Sequence, residues 1–152
     1  FVIAIVVSLG PSLTNVFIAV GITGWAGTAR LIRGQILSLK ESEYVEAARA
    51  LGASNTRIIF KHIVPNCIAP IIISATLGMG GAIMTEASLS FLGLGAQPPI
   101  PSWGSMIDYA KDFLRTNLWY SFFPGLAIMI TVFGFNLLGD GLRDALDPRL
   151  KI

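Results

Sequence analysis

Two places in this 152-residue sequence carry residue types that could do chemistry. One is the charged stretch 41–65, "ESEYVEAARALGASNTRIIFKHIVP", which holds Glu41, Glu43, Glu46, Arg49, Arg57, Lys61 and the single His62. The other is Glu86, a lone acid within the apolar run "CIAPIIISATLGMGGAIMTEASLSFL". Neither has the pattern of a catalytic centre. One histidine and one cysteine, His62 and Cys67, supply neither a metal cage nor an internal disulfide, so both read as packing or surface residues. No G-x-x-x-x-G-K-[S/T] loop is present to cradle nucleotide phosphates, and no H-E-x-x-H zinc site occurs. Asp140 in "LLGDGL" lacks the second, facing acid that an intramembrane aspartyl protease requires. A non-enzyme is therefore expected, with no cofactor or metal site of its own. An acid inside a membrane span is costly and a functional candidate by default, which makes Glu86 a candidate for the translocation path. The plainer alternative is that Glu86 lies near the end of its helix and reaches water or caps a neighbour.

The elements that must position these residues are greasy. Hydrophobic residues make up 53% of the chain and charged residues 13%, about half the share usual in soluble domains. The net charge of +2 gives no reason to expect a nucleic-acid partner, so the expected surroundings are a lipid bilayer. Three spans are predicted, over about 13–34, 67–92 and 118–138. The opening "FVIAIVVSLGP" is too short to span and has no basic flank, so it reads as the last turns of a helix that begins upstream, and the chain as a fragment. Pro70 is placed in the first turn of the second span, and Ser74, Gly78 and Ala82 form a small-residue stripe along it. Residues 93–117 form a loop rich in proline, carrying a short surface helix within 104–117. Trp119 and Tyr120 begin the third span as an interfacial belt, and the tail after 138 reads as polar and turn-rich. Ser88, Ser90 and Asn136 are expected to bond between helices, and Asp140, Asp144 and Asp147 to pair with Arg143 and Arg149. Basic residues concentrate in 30–66 and in the tail, which places both on the cytoplasmic side and 93–117 outside. A secondary transporter coupled to ions would carry several ionisable groups at mid-membrane, against the single Glu86 here.

The charged stretch is itself patterned as an elbow over about 39–65. Ser38 with Glu41 fits a capping box, and Glu41, Glu43 and Glu46 suit the positive end of a helix. Tyr44, Ala47, Ala48 and Leu51 fall on one helical face, and Gly52 supplies a stop. A second helix is expected from Ser54 and Asn55, with Ile59, Ile63, Phe60 and Val64 on its apolar side, Arg57 and Lys61 on its polar side, and Pro65 closing it. Physics alone leaves two uses open: an amphipathic hairpin lying on headgroups, or a docking knob whose Glu46, Ala47 and Ala48 enter a groove on a soluble partner.

The segment "EAARALGASNTRIIFKHIVPN" resembles the EAA loop of bacterial binding-protein-dependent ABC importer permeases. Glu46, Ala47, Ala48, Gly52 and Pro65 match that pattern directly, while Val64 stands for its usual leucine and His62 for an apolar position. The stretches "EASLSFLGLGAQPPIPSWG" and "FPGLAIMITVFGFNLLGDGLRDALDPRL" resemble the C-type permease subunit of dipeptide, oligopeptide and nickel transporters, over its carboxy-terminal half. The resemblance implies an all-α integral membrane protein with a partial type I ABC importer transmembrane fold and cytoplasmic EAA coupling helices. It implies Glu46, Ala47, Ala48, Leu51, Gly52 and Pro65 as the docking set for a cytoplasmic ATPase. It further implies a second, homologous permease, an extracytoplasmic substrate-binding protein, ATP and Mg held on the partner ATPases, and a place in the bacterial or archaeal inner membrane.

Overall fold

The computed structural model describes residues 1–146, and no strand occurs among them. The helices are α1 (Val2–Leu9), α2 (Leu13–Leu39), α3 (Glu43–Ala50), α4 (Asn55–Ile58), α5 (Val64–Phe91), α6 (Trp103–Ala110) and α7 (Trp119–Leu146). A π-helical segment, Ile59–Ile63, joins α4 to α5, and a 3-10 turn, Lys111–Phe113, follows α6. Three helical stretches are long and apolar enough to cross a membrane: Leu13–Leu39, Asn55–Phe91 and Trp119–Leu146. At about 1.5 Å rise per residue each exceeds the roughly 30 Å of a hydrocarbon core. At most 17% of each apolar window is buried within the chain, so lipid or other subunits must cover the rest.

The chain divides into two compact units. The first comprises 1–24 and 76–138, and its core is Val6, Val16, Ala19 and Leu89. α1 ends where Gly10 takes φ +92°, and the Asn15 side-chain amide donates to the carbonyls of Leu9 (3.1 Å) and Gly10 (2.8 Å). α5 ends in a Schellman turn. Gly93 takes φ +74°, its N–H donates to Ser90 O (3.0 Å), and Leu94 N–H donates to Leu89 O (2.8 Å). Leu94 then packs on the core beside Leu89, the apolar contact that this turn favours. α6 starts at a capping box built from two serines: Ser105 N–H donates to Ser102 Oγ (3.2 Å), and Ser102 N–H donates to Ser105 Oγ (3.0 Å). Gly104 lets α6 approach α5 so closely that a Cβ there would lie 2.1 Å from Ala87 O. Lys111 pairs with Asp108 and places Nζ 4.8 Å from the centre of the Phe91 ring. Trp119 stacks on Phe123 and meets Phe122 edge-on, at centroid distances of 5.6 and 5.5 Å.

The second unit comprises 25–75 and the chain from Gly139 onward. Its core is Val45, Ile58, Ile63 and Cys67, with Leu39, Ala48, Ala53 and Ile71 packed against it. α3 ends in the second Schellman turn: Gly52 takes φ +79°, Gly52 N–H donates to Arg49 O (3.0 Å), and Ala53 N–H donates to Ala48 O (3.1 Å). Val45 is fully buried, so Val45→Ala is expected to cost about 2 kcal/mol in this cluster. Hydrogen exchange on the assembled protein checks this as faster exchange at the amides of Gly52 and Ala53.

Several local expectations are corrected. α2 runs through Ser38 to Leu39, so no capping box forms there, and Ser42 occupies the N-cap of α3. Tyr44 and Leu51 are exposed, and Val45 is the residue of α3 that enters the core. Ile59, Phe60 and Val64 are likewise exposed, whereas Ile58 and Ile63 are buried. Pro65 does not close the helix. In the π segment Val64 N–H reaches back five residues to Ile59 O, and the helix passes the proline into α5. The wider turn relieves the ring–carbonyl clash that stops an α-helix. The Asn66 side chain donates to His62 O at 2.6 Å. Pro70 lies inside α5 rather than in its first turn, and α7 continues through the tail to Leu146 instead of breaking into turns. Gly78 of the expected small-residue stripe has nothing near it; the glycine of α5 that meets α7 is Gly80, against Val132 and Asn136.

Candidate functional site

The elbow α3–α4 presents its docking candidates unequally. Glu46, Ala47, Leu51 and Pro65 are exposed, Leu51 to 88%, while Ala48 turns half-buried toward the Val45 cluster. Gly52 is exposed and has open space where a Cβ would stand, so its role is the left-handed backbone of the turn. Pro65 belongs to α5, beyond the π segment. Across the elbow the rings of Tyr44 and His62 lie 6.4 Å apart, tilted by 44°. Among the described residues no ion pair engages Glu46, Arg49, Arg57 or Lys61. A short, well-folded knob with an exposed leucine, a small alanine and a free acid has the chemistry of a helix that enters a protein groove.

Glu86 sits elsewhere, in the first unit, on the wall of a cavity of about 500 Å³ between α2, α5 and α6. Its other lining includes Phe17, Val20, Ile83, Trp103 and Met106. Ser90, one turn on and buried, holds the carboxylate. Ser90 Oγ accepts from Ala96 N–H (3.0 Å), so its own proton goes to Glu86 Oε1 (2.6 Å). Ser90→Ala would strip Ala96, itself buried, of its acceptor, at a cost of about 1–3 kcal/mol in the turn that follows α5. Faster amide exchange at Ala96 is the expected readout.

The remaining polar residues divide. Ser90 bonds its own helix and the loop beyond it, Ser88 donates back to Met84 O (2.7 Å), and Asn136 faces Gly80. Asp140, Arg143 and Asp144 lie on α7 with no ion pair among them, and Asp147 and Arg149 lie outside the described residues. Sequence reasoning missed Gly104 and the Ser102–Ser105 cap, which seat α6 over the Glu86 cavity. The signal was present as S-x-x-S around a glycine, without the Glu or Gln that marks the usual box.

The whole chain, residues 1–152, matches the family described as binding-protein-dependent transport system inner membrane component. It is 54% identical over 149 residues to the dipeptide transport system permease protein DppC of Alkalihalophilus pseudofirmus, covering 98% of this chain and 49% of that protein. It is 51% identical over 150 residues to the oligopeptide transport system permease protein OppC of Bacillus subtilis, covering 99% and 49%. It is 49% identical over 149 residues to the glutathione transport system permease protein GsiD of Salmonella typhimurium, covering 98% and 49%. The chain thus spans about half the length of the curated relatives it matches.

Proposed function

This chain belongs to the binding-protein-dependent transport system inner membrane components, and on that premise we propose that it is the pore-forming and motor-coupling part of an ATP-driven importer of peptides. The observation that carries the proposal is the elbow that follows Leu13–Leu39 and turns at Gly52 into the stretch Asn55–Phe91, packed through Val45 and Ile58 on Ile63 and Cys67, with Glu46, Ala47 and Leu51 facing out. The chain offers no nucleotide-binding loop, so energy enters through that knob from a separate ATPase holding ATP and Mg. A second permease completes the pore and a binding protein delivers the cargo from outside. Closure of the ATPases on ATP displaces the coupling helices, and the pore changes from inward-facing to outward-facing by differential contacts in the two states. The names of the relatives favour dipeptides, oligopeptides or glutathione as cargo over nickel.

The test is ATP-dependent uptake of a labelled dipeptide by proteoliposomes holding the assembled complex with its binding protein, together with crosslinking from Ala47→Cys. Uptake that requires ATP inside the cytoplasmic face, and a crosslink to the ATPase, are expected. Uptake that persists without ATP and collapses with a protonophore would instead establish an ion-coupled carrier, and a missing crosslink would remove the elbow from the coupling route.

A further inference from the structure

The cavity beside Glu86 has a charge arrangement that selects a ligand. Among the described residues Glu86 is the only ionisable one in its lining, whose other polar side-chain groups are the Ser102 hydroxyl and the Trp103 indole N–H. Ser102 is already engaged in the cap of α6 with Ser105. Of the two carboxylate oxygens, Oε1 accepts the Ser90 hydroxyl, and no hydrogen bond from a described residue reaches Oε2. Ser90 has no second proton to give, because its lone pair takes Ala96 N–H and its hydrogen is spent on Oε1. Oε1 is thereby held as an acceptor and Oε2 is left open toward the cavity. Trp103 and Phe17 line the same space, and aromatic faces attract cations. An anion would meet repulsion here, and a neutral apolar solute would offer the open carboxylate oxygen no partner.

We propose that this cavity binds a protonated amine carrying an apolar substituent, with the ammonium on Glu86 Oε2 and the substituent against Phe17, Ile83 and Met106. A volume of about 500 Å³ accommodates a group the size of an amino acid, such as the first residue of a peptide with its free amino end. Ser90 is a positioning residue in this arrangement, and Glu86 is the contact that reads the positive charge. The proposal rests on the importer reading above, since it supplies a selective step within the permease for solutes that bear a free amine.

The test uses the complete importer complex in lipid nanodiscs, without binding protein, carrying 4-trifluoromethyl-phenylalanine at position 17 alone as a ¹⁹F reporter. The probes are leucinamide, which has a free amine, and N-acetyl-leucinamide, which does not. Leucinamide is expected to shift the ¹⁹F signal saturably, and the acetylated probe to need roughly tenfold more, the scale of one charge-assisted hydrogen bond. Glu86→Gln is expected to weaken leucinamide by a similar factor and to abolish the preference between probes. Glu86→Asp, which keeps the charge, restores part of it. Equal midpoints for the two probes on the unsubstituted complex would overturn the proposal whether or not the variants fold, as would a Glu86→Gln complex that still discriminates. ATP-driven uptake by proteoliposomes of the same complex is read separately. Intact uptake with equal midpoints sinks the cavity proposal alone, whereas uptake indifferent to ATP sinks the importer reading on which it rests.

Discussion

On the proposed coupling role of the elbow, the Gly52→Trp complex is expected to lose roughly tenfold or more of its ATP-driven uptake, because a left-handed residue with a Cβ costs about 1–2 kcal/mol and a tryptophan adds bulk at the proposed docking face. The backbone argument is specific to this position. Gly52 sits at φ +79° in a turn that satisfies the carbonyls of Ala48 and Arg49, and Ala53 closes that turn onto the core. Nothing lies within 4 Å of where its Cβ would point, so an internal clash contributes no part of the effect. Gly52→Asn, which tolerates the left-handed region, should therefore retain most uptake, and Gly52→Ala should fall between. Uptake and ATP hydrolysis are measured together on the assembled complex. Hydrolysis that continues while uptake fails identifies uncoupling, and wild-type uptake by the Gly52→Trp complex would remove this turn from the coupling machinery.

Gly104→Val is expected to produce the largest structural loss in the first unit, about 3 kcal/mol or more. A Cβ at Gly104 would lie 2.1 Å from Ala87 O and 2.8 Å from Ala87 C and Cα. Those atoms are backbone of α5, which cannot rotate aside as a side chain can. α6 must lift away, and with it go Trp103 and Met106, two walls of the Glu86 cavity. Gly78→Ala is the matched control: it lies on α5 with open space around it and is expected to be close to neutral. The thermal midpoint of the detergent-solubilised complex and amide exchange over 103–110 check the pair. A Gly104→Val protein as stable as the Gly78→Ala protein would mean that the two helices do not pack as described.

Some features that depend on neighbours along the chain were legible in the sequence. The three membrane-length helices followed from the length of their apolar runs, and the stop at Gly52 from a glycine after a short amphipathic stretch. The start of the second helix near Ser54 and Asn55 was read there too, and the structure adds that Ser54 caps it, its Oγ accepting from Arg57 N–H at 3.4 Å.

The buried face of the elbow was misread because it depended on the pitch of the helix, whereas α2 and α7 simply ran further than their local end signals suggested. The elbow's apolar side was read at the α period, which selects Ile59, Phe60, Ile63 and Val64. The chain instead buries Ile58, then Ile63 five residues on, then Cys67 four further, because the π segment inserts an extra residue into one turn. That same extra residue lets the helix run past Pro65, which the sequence alone reads as a terminator.

The sequence by itself therefore determined that this is a helical membrane chain with a charged elbow and one acid in a span, since apolar length and turn residues are local properties. Only the tertiary structure decided which faces of the elbow are buried, that α6 presses on α5 through Gly104, and that Ser90 leaves one Glu86 oxygen open to an apolar cavity. The first two depend on which residues distant in the chain approach within van der Waals contact, about which helical spacing carries no information; the third pairs residues one helical turn apart, and needed the fold only to bring Ala96 N–H onto Ser90 and the cavity onto Glu86.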